Sequence, residues 1–449
     1  MATQVTIQKQ PTSPNLSNGN LVFQVDDTSN SQPQYQYIAD IKDASGNLIQ
    51  RVKQQPNPYG YGIFDLSRII DTQTGPTDNV WTITTATQNT SSGKDIQVIF
   101  GNEYGTSVSS SVTTYNGSGA AGEPAKSASI YYFMLDGTSN PNDKVGNFNW
   151  NSSSKYEFPN PLAKVPDYQF ALTDFVTQSI RLEDYHTVSI LNGNVAGKQN
   201  SAVSSSAQDV YIARIQTYDS SDSLLNTFYF YNTAGPRTGS SELWSDAYTN
   251  QSENTRLIHF PAGPQNFLDA GSAFNTGSTS YYTYELFDQK IDGSLGDTRW
   301  ADLRFDMQTE CTFTGTRFAW KNQYGVWDYF NFTLADNATT SITRKEYEQD
   351  FVNFGGNQVT YDRSRRGKSQ FYNELEQKYK AESDYLTQTE ADNLRELFYS
   401  TNVYIQNGSE YLPVIITNGS IEQKTNPRSQ KLFRFTAEYQ FANEITPRT

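Results

Sequence analysis

Short apolar runs punctuated by turn residues set the pattern from Thr6 to about Tyr104: Leu21-Val22-Phe23, Tyr37 to Ile41, Val80 to Ile83 and Ile96 to Phe100. Such runs are too short for helices and have the length and composition of half-buried strands, so residues 1–104 predict a small antiparallel β-sandwich. Within it, Ala44-Ser45-Gly46-Asn47 separates Tyr37-Ile38-Ala39-Asp40-Ile41 from Leu48-Ile49, and turn chemistry between two strand-like runs predicts a hairpin.

Residues 105–128 are small and polar, including Asn116-Gly117-Ser118-Gly119, and predict a linker because they bury too little area to fold. Beyond it, Tyr211-Ile212-Ala213-Arg214-Ile215, Ser220-Ser221-Asp222-Ser223 and Leu224-Leu225 repeat the order of the Tyr37 hairpin with two residues inserted. A duplicated sandwich is therefore expected within a central β-rich region at 129–336. There, Tyr281-Tyr282-Thr283-Tyr284-Glu285-Leu286 and Leu295 flank a turn around Asp292-Gly293. Further on, Phe318 and Trp320 share one strand face, Phe330 and Phe332 another, with Gly325 turning the chain between them.

Residues 337–449 change character and predict a small α+β module. The charged stretch Asn373 to Tyr385 reads as a short helix or ordered loop. A longer helix follows, with Thr389 as its cap, Asp392 completing the capping box, and Leu394, Leu397 and Phe398 forming an apolar stripe. Val403 to Gln406, Tyr411 to Thr417 and Leu432 to Phe441, separated by Asn407-Gly408 and Asn418-Gly419, predict three strands under that helix. The fold class is thus mainly β: multi-domain antiparallel β-sandwiches with a small C-terminal α+β module.

Composition narrows the partners. Only 18% of residues are charged while 14% are aromatic, which suits strands and polar loops. A formal net charge of −14 repels phosphate, so nucleic acid is not expected as a partner. The densest cationic cluster, Arg363, Arg365, Arg366 and Lys368, lacks interleaved aromatics and is expected to be a solvated loop or a carboxylate-pairing patch at a subunit contact. One cysteine, Cys311, excludes an internal disulfide and is expected to behave as a small apolar residue. No stretch of about 20 apolar residues suggests membrane insertion, and the start lacks the basic and apolar regions of a signal peptide, so synthesis and retention in the cytoplasm are expected.

Candidate chemistry is sparse. His186 and His259 stand singly among apolar or aromatic neighbours and carry no spaced metal-ligand partner. No Gly-x-Ser-x-Gly elbow is present, and Gly60-Tyr61-Gly62 lacks the Lys-Ser/Thr pair of a phosphate loop and reads as a turn. Asp219 with Asp222, and Asp288 with Asp292 and Asp297, depart from the order of a calcium loop. No catalytic, cofactor-binding or metal residue is assigned, and no enzyme activity is expected. Exposed Tyr and Trp leave glycan or receptor binding as an alternative, and paired carboxylates a glycan depolymerase as a second.

One resemblance adds to this. The segment Trp320-Lys321-Asn322-Gln323-Tyr324-Gly325-Val326-Trp327-Asp328 resembles the Trp-x-Asn-x-x-Gly-x-x-Asp segment of tail and baseplate-region structural proteins in phages of Bacteroidota and marine bacteria. The ending from Leu394 through Val403, Leu412-Pro413-Val414-Ile415 and Lys431-Leu432-Phe433 is similar to their helix followed by strands. Val326-Trp327 departs from the pattern, where a second small residue is expected after Gly325. The resemblance spans roughly residues 300–445. It implies a non-catalytic virion subunit, a homo-oligomeric ring or adaptor near the tail, neck or baseplate, with other virion proteins as partners and a host-surface glycan as an open possibility.

Overall fold

The computed structural model of the protein describes residues 5–11, 15–17, 21–75, 80–89, 91–105, 107–108, 112–116, 128–134, 171–191, 212–232, 257–289, 295–308, 315–334, 336–348, 352–353, 356–361, 364, 367–418 and 433–443. The chain forms two compact units: Met1–Glu310 with Ala319–Phe330 and Asn393–Asn402, and Cys311–Phe318 with Asn331–Asp392 and Val403–Thr449. In place of a single cut at 336, the chain passes between units several times.

The first unit holds two sandwiches, as the apolar runs predict. In the first, β1 (Thr6–Lys9), β3 (Val22–Asp26) and β6 (Gly62–Asp65) form one sheet in the order β1-β3-β6. Facing it is the sheet β2-β10-β8-β4-β5, built from β2 (Asn15–Leu16), β4 (Gln36–Asp43), β5 (Leu48–Gln54), β8 (Gly93–Gly105) and β10 (Ala128–Met134). Phe23, Val25 and Phe64 from the small sheet meet Tyr37, Ala39, Val98 and Phe100 from the large one in a buried core. The expected linker is partly strand, because β9 (Val112–Asn116) pairs with the end of β8 and β10 begins at Ala128. Backbone pairing on an existing edge does not need the apolar side chains that segment lacks.

The second sandwich repeats the first. Its elements are β11 (Thr177–Ile180), β12 (Thr187–Leu191), β13 (Ile212–Tyr218), β14 (Leu224–Tyr231), β15 (Leu257–Pro261), β16 (Tyr281–Gln289) and β17 (Leu295–Met307). The large sheet runs β11-β17-β16-β13-β14, the same connectivity as β2-β10-β8-β4-β5. In both, the pair at the β2 or β11 end is parallel and the others are antiparallel. β12 pairs with β15 as β3 does with β6, and a short helix follows each: α1 (Ser67–Asp71) after β6 and α2 (Pro264–Asp269) after β15.

The correspondence reaches single hydrogen bonds. Leu66 N donates to Leu21 O at 3.0 Å, and at the matching place Ala262 N donates to His186 O at 2.8 Å. Each hairpin has a register shift just before its turn, at Ile41/Lys42 and at Thr217/Tyr218. Asp43 and Asp219 then hold equivalent turns, with the carboxylates accepting from Asn47 N at 2.7 Å and from Ser223 N at 2.9 Å. Matched this way the hairpins need no insertion, and Tyr37 corresponds to Ala213 rather than to Tyr211, two residues from the match that composition suggested. The duplication is real in topology, but its sequence trace is misaligned because turn chemistry is kept while the strand residues differ.

The connection from α1 to β8 serves the second sandwich. Its strand β7 (Thr87–Gln88) adds to the free edge of β15, giving the order β12-β15-β7. Asn266 Nδ2 donates to Trp81 O at 2.7 Å and to Ile83 O at 2.9 Å, which fixes the same segment on α2.

Next come β18 (Thr316–Lys321) and β19 (Trp327–Phe332), the aromatic strands that the pattern predicts. In the second unit β20 (Asn337–Glu348), β23 (Lys368–Glu382), β24 (Val403–Asn407), β25 (Glu410–Ile416) and β26 (Thr436–Phe441) take the order β24-β25-β26-β23-β20, and β21 (Val352–Asn353) pairs with β22 (Thr360–Tyr361). The charged stretch from Asn373 is strand, not helix or loop: β23 pairs with β20 from Asn337↔Lys380 to Glu348↔Lys368. Its Leu375 and Tyr379 alternate at period two with Glu374, Glu376, Lys378 and Lys380, a signal that charge density obscured. The helix α3 (Gln388–Tyr399) is present, but its cap is Thr387: Glu390 N donates to Thr387 Oγ1 at 3.3 Å and Thr387 N donates to Glu390 Oε2 at 2.8 Å. The longer Glu side chain reaches back across the first turn, which displaces the expected Thr389–Asp392 box by two residues.

Candidate functional site

The Trp-x-Asn-x-x-Gly-x-x-Asp segment forms the turn from β18 to β19, and Asn322 organises it. Its Oδ1 accepts from Tyr324 N at 3.0 Å and Val326 N at 3.2 Å, while Nδ2 donates to Asp328 Oδ2 at 2.9 Å and Leu172 O at 2.8 Å. All four hydrogen-bonding positions of the amide are used. Gly325 adopts φ +75°, the left-handed geometry the turn needs, and its N–H closes the turn on Asn322 O at 3.0 Å. Val326 is buried, so this larger residue is accommodated by packing inward.

Around the turn lies a buried polar cluster. Asp174 accepts from Gln323 Nε2 at 2.6 Å and from the Tyr324 hydroxyl at 2.7 Å, and Glu396 accepts from Gln323 N at 3.1 Å. Burial pushes the Asp328 carboxyl up to about 7, with hydrogen bonds from Asn322 and Thr173 opposing and the charge of Asp174 adding. Burial also raises the Tyr324 hydroxyl, helped by the Asp174 carboxylate. Lys321 is fully buried, with Nζ 3.3 Å from Gly325 O and 4.5 Å from the centre of the Trp327 ring. Trp327 in turn meets Trp81 edge-on at 5.1 Å.

The two histidines are core residues within the second sandwich. His259 lies between Asn89 Nδ2 and Ser189 Oγ, each 2.7 Å from a ring nitrogen. Burial, then the Lys321 charge, push its titration down to about 3, so it is neutral near pH 7. The His186 ring is buried against Phe305 at 5.0 Å and Tyr329 at 4.5 Å. Among the described residues no three His, Cys, Asp or Glu side chains gather as a cation site.

The remaining candidates resolve into turns or lie outside the described residues. Gly60 N donates to Asn57 O at 2.8 Å in the turn expected there. Asp219 caps its hairpin, and Asp222 Oδ1 accepts from the Tyr281 hydroxyl at 3.0 Å. Arg363, Arg365, Arg366, Cys311 and Asp292 lie outside the described residues, as do the side chains of Asp288 and Asp297. Asp174, Thr173 and Glu396 carried no local signal, being separated from Asn322 along the chain by far more than any motif spans.

Chemically, the cluster is a clasp: donors meet acceptors inside the protein and hold a turn against residues 172–174. The fold defines a mainly β protein of paired, topologically equivalent sandwiches. Comparison with protein families and with curated proteins returns no match for this chain. No helix among the described residues is long and apolar enough to cross a membrane.

Proposed function

We propose that this protein is a non-catalytic structural subunit of a tailed-bacteriophage particle, a ring or adaptor component near the tail, neck or baseplate. The observation that carries the assembly role is the β20–β23 ribbon. All twelve residues of β20 are exposed, and Ile342, Tyr347 and Phe371 are 46%, 45% and 60% exposed. A two-stranded ribbon gains little stability in water alone, so bare apolar side chains on one point to a surface completed by another protein. The particle assignment rests on the resemblance of the Asn322 turn and the C-terminal strands to tail-region subunits. Mass spectrometry and antibody labelling of purified particles test it: the chain is expected at a fixed stoichiometry on the tail-proximal structure, and absence from particles overturns the assignment.

A second reading, receptor or glycan binding, draws on the outer face of the second sandwich. There Tyr218 stacks on Tyr281 at 4.9 Å, Arg304 lies 3.8 Å from the Tyr281 ring, and Tyr229 and Tyr231 are 39% and 42% exposed. Such rings stack on sugars as readily as on protein. Binding of host polysaccharide that is lost in Tyr229→Ala/Tyr231→Ala favours this reading over assembly alone.

A further inference from the structure

The large sheets of the two sandwiches end in equivalent strands, β5 and β14, and these edges differ. On the face away from the core, Arg51 of β5 donates to Asp40 at 2.6 and 2.9 Å, and Lys53 donates to Glu103 at 2.8 Å. Counted from the matched turns, Arg51 corresponds to Thr227 and Lys53 to Tyr229, while their acceptors Asp40 and Glu103 correspond to Gln216 and Phe287. Cation and carboxylate are thus both absent at the matched positions, and the eight residues of β14, Leu224 to Tyr231, carry no charge at all. Leu224, Tyr229 and Tyr231 are exposed, and among the described residues β14 pairs with β13 alone. The far edge of the same sheet is β11, four residues long.

An edge strand presents backbone N–H and C=O groups to any other strand, and charged side chains, lysine above all, or shortness keep such strands away. β5 has the charges and β11 the shortness; β14 has neither. Its course is also fixed in advance, by pairing with β13 from Ile212↔Tyr231 to Tyr218↔Leu224 and by Asn226 Nδ2 donating to Ala273 O at 2.7 Å. We infer that β14 pairs antiparallel with β14 of a second copy of this chain, joining two five-stranded sheets into one. Charge selects this occupant. At −14 the copies repel over most of their surfaces, but no antiparallel register of β14 on itself sets like charges opposite each other. The same pairing of β5 would put Arg51 and Lys53 on both sides of the contact. A two-fold axis through the β14 pair satisfies both edges at once and leaves neither open to a third chain. This rests on the assembly role proposed above and names a second copy as a partner.

Sedimentation of the full-length protein tests it, comparing wild type with Thr227→Arg/Tyr229→Lys, which gives β14 the cations that β5 carries at the matched positions. Circular dichroism with thermal melting checks that the variant folds. Wild type is expected to dimerise, with an affinity little changed between about 50 and 500 mM salt because the paired strands carry no charge. The variant is expected to dimerise at least about tenfold more weakly. Amide exchange of the 224–231 segment needs no variant: in wild type it should slow as protein concentration rises. Exchange there that ignores concentration while the chain dimerises, or a folded variant that dimerises as wild type does, overturns the edge contact and leaves the assembly role standing. Wild type that stays monomeric overturns the pairing, whereas absence of the chain from particles overturns the assembly role. Host polysaccharide that slows exchange at 224–231 in a monomeric chain overturns the pairing in favour of the glycan reading.

Discussion

Asn322 Nδ2 lies 2.9 Å from Asp328 Oδ2, joining the two ends of the β18–β19 turn inside the protein. The same amide serves Leu172 O and two backbone N–H groups, so its removal strands several buried polar groups at once. Asn322→Ala is expected to destabilise the first unit by roughly 2–4 kcal/mol, the cost of leaving such groups unsatisfied. Asn322→Asp, which places a second carboxylate beside Asp328, is expected to be worse at pH 8 than at pH 5. Amide exchange of peptides covering 319–330, with melting of the full-length chain, measures both.

The pH dependence of stability has two opposing parts. Asp328 is pushed from its usual 3.8 up to about 7, so the native protein keeps a proton that the unfolded chain releases. Its contribution is full below about pH 4 and lost as pH rises toward 7. His259 is pushed from 6.5 down to about 3, so the native protein refuses a proton that the unfolded chain takes up. Its contribution is present above about pH 6.5 and lost as pH falls toward 3. Between about pH 4 and 6.5 the slopes cancel in part. Asp328→Asn keeps an acceptor for Asn322 and removes the first slope, so its gain over wild type should be larger at pH 8 than at pH 4, by at most on the order of 4 kcal/mol. His259→Gln should remove the second slope. Melting curves across this range that leave either variant parallel to wild type reject the corresponding assignment.

What the sequence made legible was local. The hairpin Tyr37 to Leu48, its partner at Leu224, the Gly325 turn and the C-terminal strands all follow from turn residues between apolar runs, and β4–β5, β13–β14, β18–β19 and β24–β25 are where those signals lie. The β20–β23 ribbon was illegible because its charged face dominates composition and its paired residues lie 20 to 43 positions apart, from Glu348↔Lys368 to Asn337↔Lys380. The buried cluster was half legible. Asn322 and Asp328 fall within one motif, but Asp174 reaches them only through the fold, and Lys321 is fully buried despite a charge that ordinarily marks surface.

The matched turns of the two sandwiches place different residues at their left-handed position. Gly46 sits at φ +84° and its counterpart Asp222 at φ +60°. Around Gly46 a new Cβ would meet nothing within 4 Å, so Gly46→Ala isolates the backbone penalty, expected at about 1 kcal/mol. Asp222→Gly relieves that penalty but gives up the hydrogen bond from Tyr281, whereas Asp222→Asn keeps an acceptor and tolerates the geometry better than most residues. Local amide exchange in the 36–54 and 212–231 hairpins should therefore quicken in Gly46→Ala and slow slightly in Asp222→Asn. Equal protection in all variants contradicts the equivalence of the turns.

The cap of α3 separates two threonines that the sequence makes look alike. Thr387 Oγ1 accepts from Glu390 N at 3.3 Å and donates to Glu390 Oε2 at 2.8 Å, closing a reciprocal box around the first turn. Thr389 lies inside the helix, where its side chain has no orphan N–H to satisfy. Thr387→Ala should cost about 1 kcal/mol, and Thr389→Ala should be neutral or slightly stabilising, since alanine is the better helix former. Glu390→Gln keeps the geometry but removes the charge that favours a helix N-terminus, so its effect should be a few tenths of a kcal/mol and shrink with salt. Denaturation of the full chain, followed by exchange in a peptide covering 386–399, distinguishes the two threonines: a larger loss at Thr389 would return the cap to that residue.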